Sequence, residues 1–245
     1  YGNTGRIVDK NNNNILNEIS NNYIDGGEGD DNLTFSSQAQ ISYGRVETQI
    51  DGGAGDDIIN VTDNSAGSTT STYGNQYGIA KVTIDGGEGE DKITVSGGLD
   101  ISITTGDGSD VISLTAKQYR TLLEGARNIR NDDLSYENVD VKPIYITDFT
   151  VGESGDVLDY GDLLRNGTLE YDGSNPFATG FLSLDQSGND THISFDADGS
   201  NKGDKSAVLV AILKNVSKNS LVANNFNPNF PPDGSAASPQ TIEGT

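Results

Sequence analysis

Four short segments of this chain combine glycine with aspartate or glutamate in a pattern that could bind a cation. The segments are Asp25–Asp31, Asp51–Asp57, Asp85–Asp91 and Thr105–Asp110. Glycine reaches backbone conformations that a Cβ forbids, so successive carbonyl oxygens can turn toward one point, and the acids add carboxylates. Calcium takes about six to eight oxygen ligands of these two kinds. One such segment could be a turn without metal, but four copies favour calcium-binding turns.

A short segment with strand character follows each turn. These segments are Leu33–Phe35, Ile58–Val61, Ile93–Val95 and Val111–Leu114. Counted from Gly26, the turns recur after 26, 34 and 19 residues, which indicates coils of about two nine-residue units with insertions in the first two intervals. In the shortest interval, Ser96–Thr104 supplies a degenerate turn and a strand for the opposite side of the coil. The stretch Asn64–Gly78 is then a solvated loop.

The turns resemble RTX repeats, the Gly-Gly-x-Gly-x-Asp-x-apolar-x nonapeptides of bacterial proteins exported by type I secretion. The resemblance implies an all-β fold, with a calcium-bound parallel β-roll or β-helix followed by a β-rich C-terminal cap that has one or two short helices. It also implies how ions are shared. Positions one, three and five of one turn would bind an ion together with positions two, four and six of the next turn.

Carried onto this chain, the resemblance implies at least three calcium ions on one side of the stack. The first would take Gly26, Glu28 and Asp30 with Gly53, Gly55 and Asp57. The second would take Gly52, Ala54 and Asp56 with Gly87, Gly89 and Asp91. The third would take Gly86, Glu88 and Glu90 with Gly106, Gly108 and Asp110.

The two ends of the repeat differ from its middle. The fourth turn has Thr105 at position one and Ser109 at position five, so it is predicted to be the last turn, which needs only a backward-facing half-site. At the other end Asp31 faces upstream with Gly27 and Gly29, and Tyr1–Asn14 offers no clear partner. Either a degenerate site lies there or the stack continues upstream.

The aspartates that precede the three full turns are further candidates; they are Asp25, Asp51 and Asp85. They could add ligands, although hydrogen bonds from backbone N–H groups are the favoured interpretation.

The sequence changes character after Leu114. Thr115 is placed to cap a helix whose apolar residues share one face, namely Ala116, Tyr119, Leu122, Leu123 and Ala126. We expect this helix to be a lid over the end of the stack. The predicted organisation is a calcium-binding β-roll over residues 1–114, a capping helix and connector over 115–143, a β-rich secretion region over 144–223 and a flexible tail over 224–245.

The segment after the helix resembles the region that caps RTX repeats. The resemblance rests on Ile146–Gly152, Asp156–Leu164 and Gly188–Gly199, with strands expected around Phe181–Leu184, Thr191–Phe195 and Ala207–Leu213. Five aspartates of this region could hold further ions, and plain hydrogen bonding is an open alternative for the first three; they are Asp148, Asp156, Asp159, Asp196 and Asp198.

The composition limits the partners of the chain. Thirty-seven acidic residues against fifteen basic ones give a net charge of −22, which opposes compaction unless cations neutralise part of it. The chain has no basic stripe for nucleic acid and no apolar run near the roughly 20 residues that span a bilayer. It also has no cysteine. The resemblance implies a monomer outside or on the surface of a Gram-negative bacterium, with the type I secretion channel and upstream domains of the same polypeptide as partners.

Catalysis is not expected, because His192 is the only histidine and no catalytic motif is present. Three interpretations remain. The leading one is the calcium-binding C-terminal module of a large secreted adhesin, which folds on extracellular calcium and supports type I secretion. The second is the noncatalytic tail of a secreted protease, lipase or polysaccharide-modifying enzyme. The third is an ice- or carbohydrate-binding module.

Overall fold

The computed structural model of the protein describes residues 19–37, 45–63, 79–97, 100–129, 142–168, 171–199 and 207–236. The predicted loop at 64–78, the upstream segment 1–14 and the last part of the predicted tail, 237–245, lie outside the described residues.

The described elements are mostly strands. In chain order the strands are β1 Ile19–Asp25, β2 Asn32–Ser37, β3 Arg45–Asp51, β4 Ile58–Asp63, β5 Ile79–Asp85, β6 Lys92–Ser96, β7 Asp100–Thr104, β8 Val111–Leu114, β9 Ile144–Ile146, β10 Val157–Asp159, β11 Leu182–Ser187, β12 Asp190–Phe195, β13 Val208–Leu213 and β14 Phe226–Asn227. The helices are α1 Ala116–Ile129, α2 Pro176–Thr179, a π-helix at Leu163–Gly167, and 3₁₀ helices at Lys218–Ser220 and Ala223–Asn225.

The strands form two sheets. One has eight strands in the order β1-β3-β5-β7-β9-β13-β12-β11, and the other has six in the order β14-β10-β8-β6-β4-β2. From β1 to β10 the chain alternates between the sheets, and each strand pairs in parallel with the strand two places later. Two consecutive strands are therefore one coil, and the coils stack. The β-rich class with parallel sheets is confirmed.

The core lies between the two sheets because apolar residues alternate along each strand. Register places them in continuous rows. On the eight-stranded sheet the row is Ile24, Ile50, Ile84, Ile103 and Ile146. On the six-stranded sheet it is Leu33, Ile59, Ile93, Ile112, Leu158 and Phe226. Except for Ile24 and Leu33 in the first coil, which are partly buried, these residues are buried. The rows fix the register of the turns that join the sheets.

Helix α1 begins where the sequence predicts. The Thr115 hydroxyl accepts a hydrogen bond from Gln118 N at 3.2 Å, as an N-cap does. Tyr119 is buried and meets Phe195 edge to face at 4.8 Å between ring centroids. The helix packs against β13 and the π-helix. It thus lies in the connection between two coils and differs from the predicted lid over the end of the stack.

Both sheets continue beyond residue 115. Strand β9 pairs with β7, and β10 pairs with β8, so the predicted division at 115 does not coincide with a break in either sheet. The hairpin β11–β12 and strand β13 extend the eight-stranded sheet, with β13 parallel to β9. These strands lie close to their predicted positions.

The segment 224–236 also differs from its prediction as part of a flexible tail. Phe226 pairs with Leu158 and is buried, so this segment closes the end of the six-stranded sheet. No helix among the described residues is both long and apolar enough to cross a membrane.

Candidate metal centre

The four glycine-rich turns lie one above another. The same backbone hydrogen bond recurs between neighbouring turns, from the position-three N–H of one turn to the position-two carbonyl oxygen of the turn before. Ala54 N donates to Gly27 O at 2.8 Å, and Glu88 N donates to Gly53 O at 2.9 Å. Asp107 N continues the series with Gly87 O at 2.8 Å. The predicted ligand positions of all four turns are therefore brought together along one side of the stack.

Glycine at position two is required by this stacking. Gly53 has a φ of 103°, and a Cβ on it would lie 2.0 Å from the carbonyl oxygen of Gly27. Gly87 has the same relationship to Gly53, again at 2.0 Å. A side chain at these positions would push neighbouring coils apart.

The position-six aspartates form a hydrogen-bonded ladder along the stack. The Oδ1 atom of Asp57 accepts from Asp31 N at 2.7 Å, and that of Asp91 accepts from Asp57 N at 2.8 Å. The Oδ1 atom of Asp110 accepts from Asp91 N at 2.9 Å, and that of Asp156 accepts from Asp110 N at 3.1 Å. Each carboxylate thus binds the backbone of the preceding coil through one oxygen.

The second carboxylate oxygen of three ladder aspartates has no hydrogen-bond partner. These atoms are Oδ2 of Asp57, Asp91 and Asp110, all buried, and the three residues are 1%, 1% and 0% exposed. A buried carboxylate oxygen without a donor is costly unless a cation binds it.

Backbone carbonyl oxygens border two of these unpaired atoms, those of Asp57 and Asp91. A Cβ on Gly52 would lie 2.6 Å from Asp57 Oδ2 and 2.2 Å from Gly86 O. A Cβ on Gly86 would lie 2.5 Å from Asp91 Oδ2 and 2.2 Å from Thr105 O. Glycine at position one therefore leaves a cradle in which a carboxylate oxygen and the position-one carbonyl oxygen of the following turn approach the same point. The resemblance instead pairs each of these aspartates with the preceding turn.

The electrostatics of the ladder disfavour bare negative charge. Burial raises the pKa of Asp57 and of Asp91 above the ordinary value. Burial, together with the nearby charges of Asp156 and Asp91, raises the pKa of Asp110 to about 7. A divalent cation would offset the negative charge of these buried carboxylates.

The position-five acids form a second, more exposed ladder that runs in the opposite direction. Asp30 Oδ1 accepts from Asp56 N at 3.0 Å, and Asp56 Oδ1 accepts from Glu90 N at 2.8 Å. In the fourth turn this pattern ends, because the Ser109 hydroxyl donates to Gly155 O at 2.8 Å. Each pair of full turns is therefore flanked by carboxylates from both ladders.

Side chains alone would not complete a metal site here. Among the described residues, no three acidic or histidine side chains come together closely enough to hold a metal ion. Any cation in the stack must take backbone carbonyl oxygens in addition to the aspartates, as the turn chemistry predicts. A carbonyl oxygen has two lone pairs, so those that accept a backbone hydrogen bond can still bind a cation.

A fifth turn, which the sequence did not identify as one, follows the fourth. It spans residues 147–156, and the fourth turn is therefore not the last rung of the ladder. Asp148 accepts hydrogen bonds from Thr105 N at 2.8 Å and Gly106 N at 3.1 Å. Asp156 Oδ2 accepts from the Thr105 hydroxyl at 3.1 Å and from Thr150 N at 2.8 Å. Asp148 and Asp156 thus carry the hydrogen-bonding role that the sequence left open.

Asn225 organises the fifth turn from inside. Its Nδ2 donates to the carbonyl oxygens of Asp156, Gly152 and Thr150 at 2.9, 3.2 and 3.4 Å. Its Oδ1 accepts from Gly152 N at 3.0 Å and from Val222 N at 3.1 Å. Asn225 is 0% exposed, so an amide group binds three converging carbonyls at the turn that lacks the glycine pattern. The sequence carried no local signal for this role.

The remaining candidate calcium ligands, Asp159, Asp196 and Asp198, lie outside the ladder of position-six aspartates. Asp159 Oδ1 accepts from Gly161 N at 2.8 Å, which again matches plain hydrogen bonding. Asp198 N donates to Asp196 Oδ1 at 3.2 Å, and residues 200–206 of that loop lie outside the described residues. His192 lies opposite Asp185 in the β11–β12 hairpin.

The aspartates before the turns also stack. Asp25, Asp51 and Asp85 are in register on neighbouring strands. The Tyr23 hydroxyl donates to Asp51 Oδ2 at 3.1 Å, and no backbone N–H bond to these three carboxylates is present among the described residues. This differs from the backbone hydrogen bonds favoured by the sequence.

No protein-family model matches the chain, and no curated protein matches it. The function must therefore be argued from the residues themselves.

Proposed function

We propose that this chain is a calcium-binding module whose stacked turns form a parallel β-roll held together by at least three calcium ions. One observation carries the proposal. Three buried carboxylate oxygens, on Asp57, Asp91 and Asp110, have no hydrogen-bond donor, and each belongs to one of the three ions implied by the repeat pattern. At Asp156, where the pattern ends, the equivalent oxygen is hydrogen-bonded.

The donor set favours calcium over other metals. It consists of carboxylate and carbonyl oxygens, which suit hard cations, and the chain has no cysteine and a single histidine, which disfavours zinc and copper. Magnesium demands near-ideal octahedral geometry and keeps several waters, whereas calcium accepts irregular sets of protein oxygens.

The charge of the chain suggests how calcium controls its fold. At −22, the metal-free chain repels itself, and three Ca²⁺ ions would neutralise the buried carboxylates that oppose stacking. From the resemblance of the turns to RTX repeats, we further propose that the chain is the C-terminal module of a large secreted bacterial adhesin. It would pass through a type I secretion channel unfolded at low calcium and fold where sites of about 10⁻⁴–10⁻³ M affinity are filled.

A calcium titration followed by circular dichroism tests the proposal. The sheet signal should rise with calcium and fall with EDTA, and calorimetry should count at least three ions. Asp57→Asn should lose about one ion, whereas Asp185→Asn, on an exposed hairpin strand, should lose none. An equal sheet signal and equal stability in EDTA and in calcium would contradict the proposal.

A further inference from the structure

A groove on the outer face of the six-stranded sheet is separate from the calcium turns. Its volume is about 550 Å³, which lies in the range of ligand-binding sites. The outward hydroxyls of Thr94 on β6 and Ser113 on β8, which are in register, form part of its floor. The start of α1 and the segment around the π-helix form its walls.

Basic side chains gather in this groove although the chain is strongly acidic. Lys117 and Arg120 come from α1, and Arg165 comes from the π-helix. They are three of only fifteen basic residues in a chain that has thirty-seven acidic ones. The acidic residues elsewhere in the chain have little effect on this local positive group, because charges farther apart than a Debye length of about 8 Å are largely screened.

The acidic side chains of the groove are held by hydrogen bonds. Asp162 accepts from Ala116 N and from Asn166 Nδ2, both at 2.7 Å, so it ties α1 to the opposite wall. Asp159 accepts from Gly161 N, and Arg165 borders the same glycine. Three basic groups against two carboxylates make this a poor cation site, although Asp159 was a candidate calcium ligand.

We propose that this groove binds an acidic saccharide, with its carboxylate or sulfate against the basic groups and its hydroxyls on the floor. Guanidinium groups pair with such oxyanions through two parallel hydrogen bonds. Serine and threonine hydroxyls both donate and accept, as sugar hydroxyls do. Among the described residues that line the groove, none is aromatic, which disfavours neutral sugars that depend on stacking. The proposal does not rest on calcium binding, because the groove contains none of the turn ligands.

Calorimetry on the full chain in calcium buffer tests the groove. The probes are a disaccharide containing glucuronate, the same disaccharide sulfated, its neutral glucose counterpart and inorganic sulfate. One or both acidic disaccharides should bind, and the neutral one should bind at least about tenfold more weakly. Sulfate that binds as tightly as the disaccharides would overturn the saccharide assignment, as would equal binding of the neutral sugar or no binding at all.

Variants locate the site. Arg120→Gln and Arg165→Gln should each weaken binding of the acidic disaccharide roughly tenfold. Both side chains are exposed, and circular dichroism should show an unchanged fold. If Arg120→Gln does not fold, because Arg120 donates to Asn166 O, Lys117→Gln replaces it. Lys81→Gln on the other sheet removes the same charge, and an equal loss in that control would overturn the proposal.

Discussion

Asp91 accepts a hydrogen bond from the backbone N–H of Asp57 through one carboxylate oxygen, at 2.8 Å, and buries the other oxygen without a donor. The first contact stacks two coils and the second leaves negative charge inside the stack. The same side chain therefore both supports and opposes the fold when no cation is bound.

The first prediction concerns this opposition. Asp91→Asn keeps the Oδ1 acceptor but removes the buried charge. We expect the variant to retain more sheet signal than the wild type in EDTA, and to lose about 1–3 kcal/mol of unfolding free energy in calcium. Asp107→Asn, at the exposed position three of the fourth turn, is the control and should change neither the sheet signal in EDTA nor the urea midpoint in calcium appreciably. A parallel loss for Asp91→Asn in both buffers would contradict a metal role.

The second prediction separates steric crowding from backbone conformation. Gly53→Ala would place a Cβ 2.0 Å from Gly27 O, whereas Gly27→Ala meets nothing within 4 Å, although the two glycines have φ values of 103° and 98°. We expect Gly27→Ala to cost about 1 kcal/mol of unfolding free energy, and Gly53→Ala to cost more than about 3 kcal/mol. Urea unfolding in saturating calcium measures both, and equal costs would mean that the coils do not stack as described.

The third prediction follows from the raised pKa of Asp110, about 7. An unfolded chain has an aspartate pKa of about 3.9, so the metal-free fold gains stability from protonated Asp110 below about pH 4. It loses that gain as the pH rises toward 7. A cation must displace the proton.

Calcium binding at pH 7 should therefore release a fraction of a proton from Asp110, and a smaller fraction at pH 8.5. Calorimetry in two buffers with different ionisation enthalpies measures the release. The Asp110→Asn variant should no longer release this fraction of a proton when it binds calcium. An unchanged release in that variant would assign the proton to another group.

The glycine turns show how much of the fold could be predicted. Their spacing is local, and the alternating apolar residues after them fix which side of each strand faces inward, so the stacking and its ligand positions follow from the sequence. The sequence does not show that Asp57 Oδ2 lacks a hydrogen-bond donor, because this depends on which atoms the next coil brings near.

The fifth turn shows where sequence reasoning ends. Asp148 and Asp156 enclose a turn longer than the repeat, and the helix and residues 130–143 separate it from the fourth turn. Nothing local places it on the same stack. Its partner Asn225 lies 69 residues beyond Asp156, in a segment whose prolines and polar residues suggested a flexible tail. Long-range hydrogen bonds of this kind leave no periodic pattern.

The last prediction contrasts this turn with the four glycine-rich turns, at which calcium is proposed. Asn225→Ala removes an amide that three carbonyls and two backbone N–H groups bind, so buried polar groups lose their partners. We expect a loss of about 3–5 kcal/mol in unfolding free energy in saturating calcium, with the same number of bound ions as the wild type, because no ion is proposed at this turn. Asn219→Ala, on an exposed 3₁₀ helix, is the control.

Hydrogen exchange locates the effect of Asn225→Ala. The N–H groups of Gly152 and Val222, which donate to Asn225 Oδ1, should exchange faster in the variant, whereas Asp57 N, bound to Asp91 Oδ1, should stay protected in calcium. Fewer bound calcium ions in the variant would mean instead that Asn225 acts through the four glycine-rich turns. A stability loss at an unchanged ion count, together with faster local exchange at Gly152, would support closure of the stack at one end by a side-chain amide, whereas a cation is proposed at the other turns.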